Sequence, residues 1–168
     1  DVEPRTEWKN LYKGKFTIND KPSILRGQTI IEALQMPTAL YLVEAALIGE
    51  QFDNRDIYGI NITGYGLHNF NRAGEGVSFE ITDPIEPMPI HQFVVGESGW
   101  TPHQSYTKIN MGLGFVYIVP DQNTAEAIVQ RINNRGEHKA KIIGQVHASS
   151  EATLRTTLHK PYEGPTLH

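Results

Sequence analysis

The segment whose reading decides the fold is Asn61-Ile62-Thr63-Gly64-Tyr65-Gly66-Leu67-His68-Asn69-Phe70-Asn71-Arg72. The run leading into it, Ile57-Tyr58-Gly59-Ile60-Asn61-Ile62, has the apolar, β-prone character of a buried strand, and Gly64 and Gly66 then punctuate the chain. Leu67 to Ala73 reads as helical up to Gly74. Glycines placed between a strand and a helix let backbone approach a ligand closely, and the helix start aims free N–H groups and a positive dipole end at it. Phosphate is the natural guest of such a turn. Thr63 and Asn61 can add hydrogen bonds, and Asn69 and Arg72, three residues apart, share a helix face. On its own the pattern is weak: it is neither a Walker loop nor a dinucleotide fingerprint, and glycines flanking a tyrosine more often make an ordinary turn.

Working outward, Gly76 to Ile81 alternates as a strand, and the proline-rich stretch Asp83 to Pro89 bends the chain into a helix over His91 to Glu97. Thr101-Pro102 reads as the N-cap and first position of another short helix. Leu113 to Val119 is an apolar strand, entered through Asn110-Met111-Gly112-Leu113-Gly114, where the glycines mark a bulge or a close backbone approach. Asp121 to Arg135 carries Ala125, Ile128, Val129 and Ile132 at helical spacing and stops at Gly136, the favoured residue past a helix end. Ala140 to Val146 reads as a core strand, with one more over Thr153 to Leu158.

Upstream, Thr29-Ile30-Ile31-Glu32 has capping-box spacing and predicts a helix start. Pro37 breaks that helix, and Thr38 is placed to cap the next one, whose Leu40, Val43, Leu47 and Ile48 form an apolar face with Glu44 and Glu50 off it. Lys13 to Ile18 alternates weakly, as an edge strand would, before the turn-forming run Asn19 to Pro22. Strands mingled with helices of varied length, without strict βαβ alternation, predict an α+β fold with a mixed β-sheet and helices packed on one face.

Composition narrows the chemistry. The chain is 168 residues long, 39% hydrophobic and 20% charged, with a mean hydropathy of −0.39, inside the range of globular domains. The net charge of −4 comes without a Lys/Arg cluster, which argues against a nucleic-acid partner. The most continuous apolar stretch, Ala39 to Ile48, is interrupted by Glu44 and is too short to span a membrane. The first residues do not have a charged, then apolar, leader pattern, so the reading expects a cytoplasmic protein without membrane contact. With no cysteine, disulfides, thiolate nucleophiles and sulfur-ligated metals are excluded. The seven histidines lack the paired spacing of a metal site and read as surface or packing residues, so no metal ligand is assigned. The serines show no nucleophile elbow and the carboxylates no obvious pair, so no catalytic residue is assigned either.

Taken in order, the motifs resemble the C-terminal domain of the phosphoribosylformylglycinamidine cyclo-ligases, also called aminoimidazole ribonucleotide synthetases. The resemblance rests on Gly27 to Leu34 followed by Pro37-Thr38 and Tyr41, on Asn61 to Leu67, on Tyr106 with Asn110 to Gly114, and on Gly136 to Val146. It covers roughly Gly27 to Ala148. Family members often carry histidine where this chain has Asn61, glycine where it has Tyr65 and a basic residue where it has Ala39, while Lys108 and Ile109 replace a usual Thr-Phe pair. Selenophosphate synthetase and a hydrogenase-maturation protein share the fold and a similar turn. The Asn-Met-Gly segment favours the cyclo-ligases.

The resemblance implies an entering linker and edge strand over residues 1–26 and a single synthetase-type domain over 27–168, without the family's N-terminal ATP-binding domain. It implies a part in de novo purine biosynthesis, in which ATP and Mg²⁺ activate the formyl oxygen of formylglycinamidine ribonucleotide and a nitrogen closes the ring to aminoimidazole ribonucleotide. Most nucleotide and metal ligands belong to the N-terminal half, on the same or a separate chain, so this domain alone is expected to be inactive. Its expected substrate- and phosphate-binding residues are Thr38, Asn61, Thr63, Gly64, Gly66, Asn69, Arg72, Asn110 and Gly112. A homodimer is among the assemblies the family allows. A non-catalytic ligand-binding or regulatory module of the same superfamily, or a selenophosphate-synthetase-like relative, is the alternative.

Overall fold

A computed structural model describes residues 14–52, 56–150 and 155–163. The chain divides into two compact units, one ending at Pro37 and one beginning at Thr38. In the first, Thr29 caps helix α1 (Ile30–Leu34): its hydroxyl accepts from the Glu32 amide, and the Glu32 carboxylate accepts from the Thr29 amide at 2.7 Å. No strand forms over the described residues 14–18. The backbone there is held by single bonds instead, Ile31 N donating to Ile18 O and Thr17 N to the Asp20 carboxylate.

The second unit is α+β, as the pattern of elements requires. Strand β1 (Tyr58–Asn61) pairs antiparallel with β3 (Phe115–Ile118), Asn61 opposite Phe115. Strand β2 (Val77–Ile81) lies between β4 (Gly144–Ala148), antiparallel to it, and β5 (Arg155–Leu158), parallel to it, which makes that sheet mixed. Among the described residues the strands thus form two sheets, of two and three strands. Helices α2 (Leu42–Gln51), α3 (Pro89–Ser98), α4 (Pro102–Lys108) and α5 (Gln122–Arg135) complete the unit. Ile60, Ile62, Phe70, Phe79, Ile81, Leu113 and Val116 form its main apolar core; Ile48, Ile128 and Ile132 form a second.

Three local expectations change. Helix α2 starts at Leu42 with Tyr41 in the N-cap position and no side-chain cap, so Thr38 sits exposed ahead of it and caps nothing. The face of α2 is also turned: Glu44 is 3% exposed, whereas Leu40 and Leu42 are 82% and 79% exposed. The strand expected over Ala140 to Val146 begins only at Gly144 and is largely exposed. Its register has a steric cause, because a Cβ on Gly144 would overlap the Glu80 carbonyl oxygen of β2, so only glycine fits that crossing. The segment before it is used differently, the Ile143 carbonyl accepting from both Thr82 and Asp83 amides.

Among the described residues, no helix is long and apolar enough to cross a membrane.

Candidate functional site

The glycine turn is built by backbone conformations that few side chains tolerate. Tyr65 sits at φ 70° and Gly66 at φ 49°, both in the left-handed region. Gly66 is buried, and a Cβ there would overlap the carbonyl oxygens of Tyr106 and Ile109, so the turn lies directly on the end of α4. The chain then continues as a 3₁₀ helix over Gly66–Ala73, not an α-helix. Eight residues is long for that conformation, which rarely persists past one turn. Two contacts hold it. Phe70, 2% exposed, packs its ring 4.6 Å from that of Phe79, and the buried Asn69 carboxamide donates to Gly64 O at 2.9 Å and to Gly66 O at 2.8 Å.

These bonds redistribute the residues expected to bind. Both N–H groups of the Asn69 carboxamide are spent inside the turn. Arg72 does not share Asn69's surroundings: it is exposed and its Nη1 donates to Asn61 O at 3.1 Å, while Tyr58 Oη donates to Arg72 O at 2.7 Å. Arg72 therefore ties the far end of the 3₁₀ helix to β1 and keeps the rest of its guanidinium at the surface. The Gly66 and His68 amides donate to Thr63 O and Tyr65 O. Thr63, Gly64 and Tyr65 form an exposed edge, and a Cβ on Gly64 would meet nothing within 4 Å.

The second glycine segment lies beside the first. Ile62 N donates to Gly114 O at 2.9 Å, which continues the β1–β3 ladder into both motifs. Asn110 folds its loop by accepting at Oδ1 from Gly112 N at 3.1 Å, with Met111 and Gly112 both at positive φ. A Cβ on Gly112 would come into ordinary contact with Glu86, Pro87 and Met88 backbone. The structure thus sets the Thr63–Gly66 turn, with Asn61 at the end of β1 and Asn69 and Arg72 on the 3₁₀ helix that follows, beside the loop that carries Asn110 and Gly112. Thr38 stands apart; Tyr41, three residues on, is the one that reaches the motif, since a Cβ on Gly114 would overlap its ring.

Two side-chain contacts near these loops have no counterpart in the sequence analysis. His91 of α3 contacts the Asn110 side chain; burial pushes its imidazole below the ordinary value, and the Asn110 contact offsets part of that. Its Nδ1 is buried without a hydrogen-bond partner among the described residues. Tyr106, also buried, accepts at its hydroxyl from the Tyr162 amide and so fastens the chain after β5 onto α4. Neither has a local sequence signature, because each is defined by a contact distant in sequence. Elsewhere, Glu80 on β2 is flanked by His147 Nε2 at 3.2 Å and His159 Nε2 at 2.8 Å. The His147 hydrogen bond is the main reason its carboxyl lies below the usual range. Among the described residues, no three His, Cys, Asp or Glu are arranged to hold a metal ion.

No protein-family model matches the chain. Among curated proteins it is similar to the phosphoribosylformylglycinamidine cyclo-ligase of Methanopyrus kandleri, 34% identical over 147 residues, which are 87% of this chain and 40% of that protein. The protein of that name from Methanobrevibacter smithii is 34% identical over 145 residues, 84% of this chain and 40% of its own. That of Rippkaea orientalis is 36% identical over 122 residues, 70% of this chain and 35% of its own. The resemblance drawn from the motifs therefore holds. The chain spans about 40% of the length of the first two of these relatives.

Proposed function

We propose that a chain so similar to part of the cyclo-ligases is the C-terminal half of an ATP-dependent cyclo-ligase. The reaction is the conversion of formylglycinamidine ribonucleotide to aminoimidazole ribonucleotide in purine biosynthesis, carried out in the cytoplasm. The observation that carries the reading is the adjacency of the two glycine loops, Thr63–Gly66 and Asn110–Gly114, within a likeness that runs through most of the chain.

In this reading the domain forms one wall of a cleft. ATP and Mg²⁺, when bound, would supply the activation of the formyl oxygen, and the N-terminal half would hold them. The chain's own residues position. Thr63, Gly64 and the backbone of Tyr65 offer an exposed, sterically open edge for a phosphate, and Arg72 adds positive charge at its side. Asn69 and Asn110 act one step back, fixing the loop conformations by their bonds to Gly64, Gly66 and Gly112. Such chemistry depends on placement and charge stabilisation, so rigid loops suit it.

One observation favours the non-catalytic alternative. Tyr65, where the family often has glycine, is 76% exposed on the open edge and occupies part of a ligand's approach. Mixing the chain with the N-terminal half of the Methanopyrus kandleri relative distinguishes the two. Restored ATP-dependent ring closure, lost in Arg72→Ala, supports the enzyme; no ring closure, with the ribonucleotide substrate bound by this chain alone in calorimetry and weakened in Arg72→Ala, supports the binding module.

A further inference from the structure

A second region of the molecule has the features of a ligand site, and of the two glycine loops only Leu113 reaches it. A cavity of about 590 Å³ lies between the two apolar cores, lined by Phe79, Val116, Ile128, Ile132 and Ile143 among others. Protein interiors rarely leave a void of this size, which falls in the range of small-molecule pockets. Ile142 and Val146, 41% and 40% exposed, belong to its lining and connect it with solvent. Asn61, Thr63, Gly64, Gly66, Asn69 and Arg72 do not line it.

Into this apolar space α2 directs a carboxylate. Glu44 is 3% exposed, and neither of its oxygens has a hydrogen-bond partner among the described residues. Its charge is met by one ion pair, with Arg135 Nε at 3.5 Å from Oε1, and the His138 Nε2 lies at 3.9 Å. Both have closer partners, Arg135 Nη2 with Glu137 at 2.9 Å and His138 with Leu40 O at 3.3 Å. A carboxylate has about four acceptor positions, and burying it is favourable only when they are filled. The buried Tyr117 hydroxyl also lacks a hydrogen-bond partner among the described residues.

Aromatic rings surround the same carboxylate. Phe115 packs at a tilt against Tyr41, 5.5 Å between ring centres, and against Tyr117, 4.9 Å, and all three line the cavity. Burial, and then the Glu44 charge, push the Tyr117 hydroxyl up to about 12 and raise that of Tyr41. A further negative charge is disfavoured in that field. Of the lysines on the rim, Lys141 is committed to Asp83 at 2.6 Å and Lys139 is exposed to solvent. A carboxylate beside clustered aromatic rings is the arrangement that recognises organic cations, by ion pairing on one side and the negative faces of the rings on the other.

We propose that this cavity binds a small organic cation with an apolar, aromatic body, whose ammonium or amidinium group meets Glu44. The test compares tryptamine, tryptophol and indole-3-acetate, which carry one indole body with a cationic, a neutral and an anionic head. Calorimetry and methyl NMR of the intact chain would read affinity and location. Tryptamine is expected to bind at least tenfold more tightly than tryptophol, with indole-3-acetate undetectable and the shifts centred on Ile128, Ile132 and Val116. Glu44→Gln should bring tryptamine to the tryptophol level. Equal binding of the two in the unmodified protein overturns the proposal, as does no binding at millimolar concentration or shifts confined to the surface. These outcomes hold even if Glu44→Gln fails to fold, and none depends on ring closure.

Discussion

The glycine turn and the Glu44 cavity treat polar groups in opposite ways. In the turn, a buried carboxamide gives both of its N–H groups to carbonyls of its own loop, Gly64 and Gly66, and the left-handed residues are locked between β1 and α4. In the cavity, a buried carboxylate faces rings and methyl groups, with one ion pair to Arg135 and no hydrogen bond among the described residues. The first arrangement spends its hydrogen-bonding capacity on its own shape. The second keeps that capacity in reserve. A self-satisfied network presents a rigid edge to whatever binds outside it, whereas an unsatisfied one is completed only by a guest.

Substitutions can break this contrast or sharpen it. Gly66→Ala should do most damage, because its Cβ would collide with two backbone carbonyls and the residue must keep a positive φ; a loss of at least about 3 kcal/mol is expected in chemical denaturation. Asn69→Ala comes next, at about 1–3 kcal/mol, since it leaves two loop carbonyls without their donors. Loss of hydrogen-exchange protection confined to the turn would accompany it. Glu44→Gln should have a small effect of opposite sign, neutral to about 1 kcal/mol stabilising. The change removes a buried charge that has no hydrogen bonds, and Arg135 retains Glu137 and partial exposure. Were it to cost as much as Asn69→Ala, the contrast would collapse. Tyr65→Gly should stabilise by roughly 0.5 kcal/mol, readable as a small rise in Tm, because it relieves a left-handed tyrosine whose side chain buries little.

How much is legible in the sequence depends on where the cause of each feature lies. The capping box at Thr29 and the N-cap at Thr101 form as read, because each is closed within four residues, and Gln104 adds a capping box at the second. Helix α5 forms as read, with Asp121 as its cap, Gly136 at its end and Ile128 and Ile132 inward. Helix α2 does not, for its rotation depends on Arg135 and His138, far along the chain, which give Glu44 a tolerable inward position. Apolar spacing at Leu40, Val43 and Leu47 carries no trace of that. The two glycine loops are legible as loops and as a family signature. Their internal wiring is not, because an asparagine that clamps a turn and one that contacts a ligand look the same in sequence.

The pairing of Asn61 with Phe115 has a consequence for how the domain comes into being. The turn at Thr63–Gly66 leans on Tyr106 and Ile109, and its entering strand is zipped to β3 through Ile62 and Gly114. None of these partners exists when the first half of the unit leaves the ribosome. Closing so long a loop has an entropic cost before its contacts reward it, so the turn should belong to the late events of folding. A nascent chain halted before Gly114 would leave Ile60 and Ile62 without β3 and Val116 to cover them, and quality control would meet the domain at that length.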